Sequence, residues 1–415
     1  MSRFMRKPAT KSRKHSLCIL TLLSFFIFAA GLQAQVKSPF KKDNISFRGY
    51  MKDLQSIYFF EGLKNAKTNN ILHNRLAYKW YASDKFTFNW EQRTQVHIGS
   101  LVSSLNGFAL PPIFLGYQDV IQLKEDYLDL SYEYGGWEKS YFFTQIDRLW
   151  LEYSVKNFEV KLGRQRINWG MNLVWNPNDI FNSFNFVDFD YEERPGSDAL
   201  YLNYYTGTTG QLSLAFQYLG NWDQSTIGMR YRWNKWSYDF QIFAARYRTH
   251  PTVGLGWAGD IKSAGFRGEA LFISRSDEDD VLMLSVGTEY AFKNGWMIQA
   301  EAMYNSNGTT ETASLLAGGL GLGDSAAGGP ETLSPFKYSL FTGLAIPAHA
   351  LWQLNFGAIT SPTSGDYYGV VSANWNFREN WELLSLIQLT QAQEVPLAGF
   401  GDFRGLFNAR IKYSF

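Results

Sequence analysis

The side chains best suited to chemistry in this sequence lie between residues 146 and 179, where arginines mix with carboxylates and amides. Guanidinium groups are planar forks of donors that bind carboxylates or sugar hydroxyls, so these arginines could line a constriction in a pore. They could equally pair with Asp147, Glu152, Asp179 or other nearby acids and fasten residues 170–197 to a wall. A fastened segment would itself narrow a pore, so the two interpretations are compatible. The candidate residues are Arg148, Glu152, Arg164, Gln165, Arg166, Asn168 and Asp179.

Other side chains give little indication of catalysis. The five histidines are scattered, and no metal-binding spacing such as HExxH occurs among them. The single cysteine, Cys18, lies in an N-terminal segment that we expect to be removed, which leaves no thiol for catalysis, disulfides or metal binding. The sequence therefore predicts a protein that is not an enzyme and that needs no metal or cofactor.

The C-terminal segment 403–415 indicates which kind of structural element holds the charged side chains of this sequence. Alternate residues are aromatic or aliphatic, and those between them include Arg404, Arg410 and Lys412. A period of two residues predicts a strand with two unlike faces. Aromatic residues on one face and cations on the other are typical of a barrel strand between lipid and lumen. The terminal Phe415 resembles the assembly signal of bacterial outer-membrane barrels, and that resemblance implies the barrel assembly machinery as a partner.

Residues 1–34 have the features of a secretory signal peptide. They hold six basic residues without an acid, then an apolar run of about fifteen residues, and a small-residue cleavage point before Gln35. The apolar run is shorter than the roughly twenty residues that a membrane-spanning helix needs. We therefore expect a polar periplasmic leader at 35–44 and a single barrel domain at 45–415.

Composition agrees with a barrel and excludes other classes. The chain has 39 basic and 38 acidic residues, and loss of six basic residues with the signal peptide leaves a mature chain five charges negative. A mildly acidic protein is not expected to bind nucleic acid. Aromatic residues make up 17% of the sequence, yet its mean hydropathy is negative. Membrane barrels combine these properties because lipid-facing residues alternate with polar residues of the lumen.

Nineteen strand-like runs follow the leader, and we find no sustained helical period between them. A single-chain barrel with both ends in the periplasm needs an even number of strands, so one candidate in the first hundred mature residues must be wrong. We expect an all-β transmembrane antiparallel barrel of about eighteen strands, with sixteen as the alternative. The first five candidates are 45–58, 70–82, 85–99, 122–133 and 141–153.

Turn signals divide the connections between these strands into two groups. Loop 307–334 is rich in glycine and could be a mobile lid or a tolerated insertion. Loop 170–197 is aromatic and acidic, and it could fold into the lumen or cap the rim. The predicted periplasmic turns are 207–210, 262–265, 293–295 and 346–349, and the predicted outward loops are 170–197, 275–280, 307–334 and 393–402.

Charged residues on the inner faces of the predicted strands include six cations and four acids. Rings of one sign select the opposite ion, so this near balance predicts weak selectivity or a lattice of ion pairs that braces the wall. The residues are Arg230, Arg232, Arg267, Glu269, Glu289, Glu301, Glu382, Arg404, Arg410 and Lys412.

The arginine-rich region contains the run Gly-Arg-Gln at 163–165, Trp-Gly at 169–170 and Asn-Pro-Asn-Asp at 176–179. This pattern resembles porin-like outer-membrane proteins of Gram-negative bacteria related to the alginate-export type. The resemblance is strongest over 141–200, and it implies a barrel of about eighteen strands that passes a solute across the outer membrane. It also implies that Arg148, Arg164, Gln165, Arg166, Asn168 and Asp179 form a network near a strand-to-loop corner.

The residue pattern and the family resemblance together favour an outer-membrane channel for a small hydrophilic solute. Its expected partners are the solute, outer-membrane lipid and the assembly machinery. The alternative is a non-transporting barrel that anchors or scaffolds a surface or secretion assembly. Conductance in a planar bilayer would distinguish the two functions.

Overall fold

The computed structural model describes residues 44–60, 65–106, 127–137, 139–183, 196–276, 278–311, 329–390, 396–397 and 401–415. Almost all of them belong to one compact unit, Ser46–Phe415, and the other unit, Met1–Ile45, contributes only Asn44 and Ile45. The predicted signal peptide, most of the predicted leader, and parts of the predicted loops 170–197, 307–334 and 393–402 lie outside the described residues.

The described chain is mostly β-strand. Its helical elements are α1 (Ser100–Asn106) and a 3-10 turn (Pro330–Thr332), and neither is long and apolar enough to cross a membrane. The strands are β1 (Ile45–Phe60), β2 (Asn65–Tyr81), β3 (Phe86–Ile98), β4 (Ser131–Trp137), β5 (Ser140–Val155), β6 (Phe158–Gln165), β7 (Ser197–Tyr205), β8 (Gln211–Gln217), β9 (Thr226–Lys235), β10 (Tyr238–Tyr247), β11 (His250–Ile261), β12 (Ala264–Ile273), β13 (Val281–Ala291), β14 (Met297–Asn305), β15 (Tyr338–His349), β16 (Trp352–Thr360), β17 (Tyr367–Arg378), β18 (Trp381–Thr390), β19 (Pro396–Leu397) and β20 (Gly401–Ser414).

Eighteen of the described strands close into one antiparallel barrel, which confirms the predicted fold class and strand number. Successive wall strands pair with each other, and β20 pairs with both β18 and β1. The β20–β1 ladder begins at Tyr50 and Ser414 and closes the barrel. Backbone hydrogen bonds in both directions between Gly49 and Phe415 extend this closure to the last residue. The two strands outside the wall are β4 and β19.

The sequence candidate 122–133 is not a wall strand, and it accounts for the odd number of candidates. Residues 122–126 lie outside the described part of the chain, and β4, which begins at Ser131, pairs with the first half of β5. β6 pairs only with the second half of β5, from Leu149 to Val155. β4 therefore covers an edge of β5 that β6 leaves bare. Alternating residues predict a strand whether it belongs to the wall or, like β4, lies outside it. Alternation therefore could not distinguish these two kinds of strand.

The two ends of the barrel differ in their connections. At one end of the barrel, which we call the turn end, the strands are joined by short turns, and β1 begins and β20 ends there. The opposite end has the longer connections, and we call it the loop end. The β9–β10 turn consists of Trp236 and Ser237, with φ of 55° and 61°, which suits a two-residue hairpin. The predicted turn 346–349 is displaced, because β15 continues to His349 and the turn follows it.

The wall strands present two unlike faces, as β13 illustrates. Its outward side chains Leu282, Leu284 and Val286 are 38%, 40% and 41% exposed, whereas the inward Met283 and Ser285 are fully buried. An apolar exterior is the inverse of the pattern in a soluble barrel. The main apolar core of the described residues lies inside the barrel, where inward wall residues meet the chain that follows β6.

Candidate functional site in the lumen

Residues 166–183, which we call the inner loop, leave the end of β6 and run along the inner faces of β9 to β14. Irregular backbone inside a barrel needs hydrogen-bond partners for its N–H groups, because buried unpaired amides are costly. Two glutamates of the wall, Glu269 on β12 and Glu301 on β14, supply them. The inner loop therefore lies in the lumen, which settles the choice between lumen and rim for this part of loop 170–197.

Glu269 binds the inner loop at two places. Its carboxylate accepts the backbone N–H of Met171, that of Asn172 at 2.9 Å and that of Asn178 at 2.8 Å. The side chain is almost completely buried. A carboxylate is an acceptor with about four lone-pair sites, so a single glutamate can gather several N–H groups of an irregular segment.

Glu301 binds the stretch between these two places. Its two oxygens accept the backbone N–H of Val174 at 2.9 Å and that of Trp175 at 2.8 Å. Between the two glutamates, on β13, Ser285 accepts a hydrogen bond from the Asn172 side chain at 2.9 Å. Three adjacent strands thus hold one face of the inner loop.

Amide side chains complete the attachment on β10 and β11. Gln241 donates to the carbonyl oxygen of Trp169 at 2.6 Å, and Asn178 donates to the carbonyl oxygen of Leu255 at 2.7 Å. Arg230 on β9 lies over the Trp169 ring, 5.3 Å from its centroid, and donates to the carbonyl oxygen of Asn168. The contacts therefore extend around the wall from β9 to β14.

Glycines on the inner wall give the inner loop the space it occupies. A Cβ atom at Gly228 would lie 2.9 Å from the ring of Trp169, and one at Gly287 would lie 2.5 Å from the side-chain oxygen of Asn172. Both distances are shorter than ordinary van der Waals contact. These strand glycines therefore mark close approach of the inner loop to the wall.

Apolar packing stabilises the same arrangement. Trp169 is fully buried, and its ring lies 5.0 Å from that of Phe181 and 5.1 Å from that of Phe243. Trp175 and Met283 belong to the same buried cluster. Aromatic pairs at these distances stabilise one packed conformation of the inner loop relative to less ordered conformations.

An ion pair fixes the base of the loop. Arg164 and Asp198 lie opposite each other in the β6–β7 ladder, and the guanidinium donates to both carboxylate oxygens at 2.8 and 2.9 Å. Both side chains are buried. Asp198 was not among the acids that the sequence analysis named for pairing. Strand-like runs at 157–169 and 198–206 precede and follow the loop, and their register could have identified it, since residues paired across antiparallel strands face each other.

The structure separates the seven candidate residues of the arginine-rich group. Glu152 lies toward the turn end and pairs with Lys161 at 3.0 Å, away from the inner loop. Arg148 donates to the carbonyl oxygen of Asp147 at 2.8 Å. Gln165 donates to the carbonyl oxygen of Ala199. The predicted network near a strand-to-loop corner therefore stays a prediction for these residues.

The other members of that group lie in the inner loop or at its start. Asp179 is buried and accepts the backbone N–H of Trp169 at 3.3 Å. Asn168 is exposed and accepts the backbone N–H of Gly170 at 3.1 Å. Arg166 is also exposed. These three residues remain candidates for a constriction, because they belong to the chain that enters the lumen.

The ten charged residues assigned to inner faces have different environments. Glu269 and Glu301 contact the inner loop, as described above. Arg267 pairs with Glu289, and Arg410 pairs with Glu382, each across neighbouring strands. Arg232 is exposed near the turn end, Lys412 lies on the same face of β20 as Arg410, and Arg404 lies at a register shift of the β1–β20 ladder.

The side of the lumen formed by β1, β2, β3 and β5 is charged, and of its ion-paired residues Asp147 was expected to pair, whereas Arg75, Glu91 and Arg93 were not predicted. Arg75 pairs with Glu91 at 2.6 Å and with Asp147 at 2.5 Å, and Arg93 pairs with Asp147 at 3.1 Å. Charged residues at alternate positions of candidates 70–82 and 85–99 carry this signal. Alternation on those strands would therefore have found them.

Lysines and aromatic rings lie together nearer the turn end. Lys79 and Lys161 lie 5.6 and 4.8 Å from the Trp150 ring centroid, and Lys52 and Lys412 lie 5.8 and 5.0 Å from that of Tyr50. A cavity of about 120 Å³ lies beside them. Its lining residues are Ser46, Arg48, Ala77, Lys79, Tyr81 and Asn89.

Phe415 lies at the closing seam of the barrel. Its ring is 41% exposed and lies 6.4 Å from that of Phe47 on β1 and 6.3 Å from that of Tyr413. The aromatic terminus therefore stands on the outer face at the turn end.

Comparison with known proteins gives the fold. No protein-family model matches the chain, and no curated protein is similar to it in sequence. The structure is similar to that of OccK5 (OpdH) from Pseudomonas aeruginosa, with a TM-score of 0.56 and 7% identity over 90% of this chain and 98% of that one. It is also similar to OccK11 (OpdR) from the same organism, with a TM-score of 0.52 and 8% identity over 89% and 96% of the two chains.

The barrel has a porin-like fold. At 7% and 8% identity, the two similarities establish the architecture and do not extend to individual side chains. They agree with the predicted porin-like barrel, and neither of these two structures indicates the alginate-export type.

Proposed function

We propose that the protein is an outer-membrane channel that passes a small hydrophilic solute. The observation that carries the proposal is the division of the lumen into two unlike sides. The inner loop is packed against β9 to β14, where Glu269 and Glu301 are almost fully buried. On the opposite side, the side chains of Arg93, Glu152 and Lys161 remain about one-fifth exposed inside the barrel. A polar solute would pass along that charged side.

The outer wall supports placement in the outer membrane. Outward residues of β13 are apolar and exposed, and stacked aromatic rings such as Trp352 and Trp375 stand near the turn end, 5.0 Å apart. Apolar bands flanked by aromatic girdles are typical of barrels in lipid. Delivery would use the signal peptide at 1–34, and the exposed aromatic terminus at Phe415 would serve the assembly machinery.

Within this function the inner loop forms the constriction, and the ion pairs of the wall hold its shape. The side chains of Arg93, Glu152 and Lys161 remain partly exposed, so the charged side presents both donors and acceptors to a solute. Hydroxyl and carboxylate groups could exchange hydrogen bonds along such a surface. The run from Gly163 to Asp179 supports a relationship with the alginate-export type, which remains a proposal.

A scaffold without transport is the second candidate, and one observation favours it. The buried apolar cluster includes wall residues from distant strands, among them Phe60, Phe243 and Phe341, together with Phe336 of the β14–β15 connection. Side chains that fill the lumen this extensively could close it. Such a barrel would present only its surfaces to partners.

Reconstitution of the purified full chain in planar bilayers tests the proposal. A channel gives stepwise conductance that scales with the number of inserted barrels. Folded barrels that insert and give no current steps would overturn the proposed channel and favour the scaffold. Circular dichroism of the same sample would verify the strand content before the current is interpreted.

A further inference from the structure

The turns at the turn end carry lysines that the proposed channel does not use. These exposed lysines, which we call the basic collar, lie at or beside the tips of the turns. The basic collar consists of Lys85, Lys156, Lys235, Lys262 and Lys293. Within the described residues, none of them pairs with a carboxylate, whereas Lys161 of the lumen pairs with Glu152 at 3.0 Å.

The basic collar begins where the apolar exterior of the wall ends, as β9 shows. The outward residues Ile227, Met229 and Tyr231 are 40%, 54% and 41% exposed. Trp233 and Lys235 follow them on the same face. One outward face therefore passes from aliphatic to aromatic to cationic side chains. That order is typical of the boundary between hydrocarbon and headgroups, where a lysine extends its ammonium group toward the headgroups.

Other turns place a lysine beside an exposed apolar residue in the same way. Ile261 and Phe292 are exposed, and each directly precedes a lysine of the basic collar. Phe86 is also exposed, and it directly follows Lys85. The basic collar therefore lies at the edge of the apolar exterior around several strands, which is the depth of lipid headgroups.

Backbone conformation distinguishes three residues of these turns. Lys156, Trp236 and Lys262 have φ of 53°, 55° and 58°. Bulky side chains rarely adopt this left-handed conformation, and two-residue hairpins favour asparagine or glycine in it. Trp236 is 77% exposed, and the ammonium nitrogen of Lys235 lies 4.4 Å from its ring centroid. Turn geometry therefore does not explain these residue types, whereas a ligand outside the turns does.

The two ends of the barrel differ in charge. The turns of the turn end contain the exposed acids Asp84 and Glu379, while Asp239 and Asp260 lie on the inward faces of β10 and β11. In the described connections of the loop end, outside the inner loop, acids predominate, and Lys139 is the one exposed base. The exposed acids there are Asp129, Asp223, Glu278, Asp279, Asp280 and Glu311. The described turn end is therefore positive on its outward side, and the described loop end is negative.

We infer that the basic collar and Trp236 bind anionic phospholipids of the leaflet at the turn end. Ammonium groups donate hydrogen bonds and attract the phosphate of a headgroup. The amphipathic indole ring favours the same depth, between hydrocarbon and water. Continuity of the basic collar with the apolar exterior favours a membrane lipid over a soluble acidic partner. The inference goes beyond the proposed function and needs only that the barrel lies in a bilayer.

Native mass spectrometry of the full chain in mild detergent tests this binding, with phosphatidylglycerol and phosphatidylcholine of equal chain length as the probes. We expect phosphatidylglycerol to bind about tenfold more tightly or better. The double variant Lys156→Asn with Lys262→Asn should lose most of this preference. Asparagine tolerates a left-handed φ, so the melting temperature of this variant should not fall.

The matched control removes two cations at the loop end, in the double variant Lys139→Asn with Arg248→Asn. Arg248 also has a left-handed φ, of 55°. This control should keep the preference for phosphatidylglycerol. Equal binding of the two lipids by the wild type would overturn the inference, and so would an equal loss in the control. Thermal protection by inorganic phosphate equal to that by phosphatidylglycerol would assign the basic collar to free anions and overturn the lipid.

Trp236→Gly separates a role in binding from a role in the turn. Glycine adopts a φ of 55° without strain, so the melting temperature in lipid-free detergent should rise while phosphatidylglycerol binds more weakly. A lower melting temperature with unchanged binding would make Trp236 a structural residue and overturn its part in the site. None of these measurements uses conductance, so failure here is separate from failure of the channel.

Discussion

Replacing both glutamates that hold the inner loop should release it from the wall. The perturbation is the double variant Glu269→Ala with Glu301→Ala. Together the two carboxylates accept five backbone N–H groups, and within the described residues only that of Asn172 has a second acceptor, the side chain of Asn176 at 3.0 Å. At about 1 kcal/mol for each of the other four, docking of the inner loop loses about 4 kcal/mol. That is roughly a thousandfold change in the ratio of docked to undocked loop.

Single-channel recording in planar bilayers measures this change. We expect the double variant to show a larger mean conductance and more current noise than the wild type, because the inner loop would leave the lumen part of the time. Each single variant should give a smaller effect in the same direction. Thermal unfolding followed by circular dichroism should show that the barrel remains closed, since its strand ladders are untouched.

Glu289→Ala is the matched control. Glu289 lies on the neighbouring strand β13 and pairs with Arg267, and no hydrogen bond joins it to the inner loop in the described part of the chain. Its removal should leave conductance noise near the wild-type level. The reasoning is refuted if the folded double variant conducts like the wild type, or if the control shows the same increase.

Three further outcomes follow from the structure. Arg164→Ala should destabilise the protein by about 3 kcal/mol or more, because it leaves the buried Asp198 carboxylate without its ion-pair partner. Arg166→Ala, at an exposed residue, should leave the melting temperature nearly unchanged. Equal melting temperatures of the two variants would contradict the ion-pair assignment. Gly287→Val should raise conductance noise as well, because its side chain would occupy the space of Asn172, and an unchanged recording would place the inner loop elsewhere. Phe415→Ala should reduce the amount of protein in the outer membrane, measured by immunoblot of membrane fractions, and full recovery would show that the terminal ring is dispensable.

Alternation predicted the wall because lipid and lumen impose opposite preferences on successive residues. Segment 403–415 carries that signal so strongly that its strand and the two faces of that strand followed from the sequence. The surplus candidate 122–133 shows the limit of this reasoning. Alternation gives the faces of a strand, but it gives neither the length of its pairing nor the strand it pairs with.

The candidate site was harder to predict, since its contacts join side chains of the wall to backbone groups of a loop. Glu269 and Glu301 were predicted as charged inner-face residues, but no sequence pattern encodes the N–H groups that they accept. Predicting Asp198 would have required the register between β6 and β7. Predicting the charged residues of β2 and β3 would have required the alternation argument to be applied to those strands. The run from Gly163 to Asp179, which carried the resemblance, overlaps the inner loop.

Closure between β1 and β20 has a consequence for biogenesis. The hydrogen bond between Ser56 and Asn408 joins residues that are 352 positions apart, and the whole seam has similar separations. Contacts so distant in sequence form late and slowly. Until β20 pairs with β1, the sheet consequently has two unpaired strand edges. Protection of those edges until the seam closes would therefore limit aggregation of the unclosed barrel.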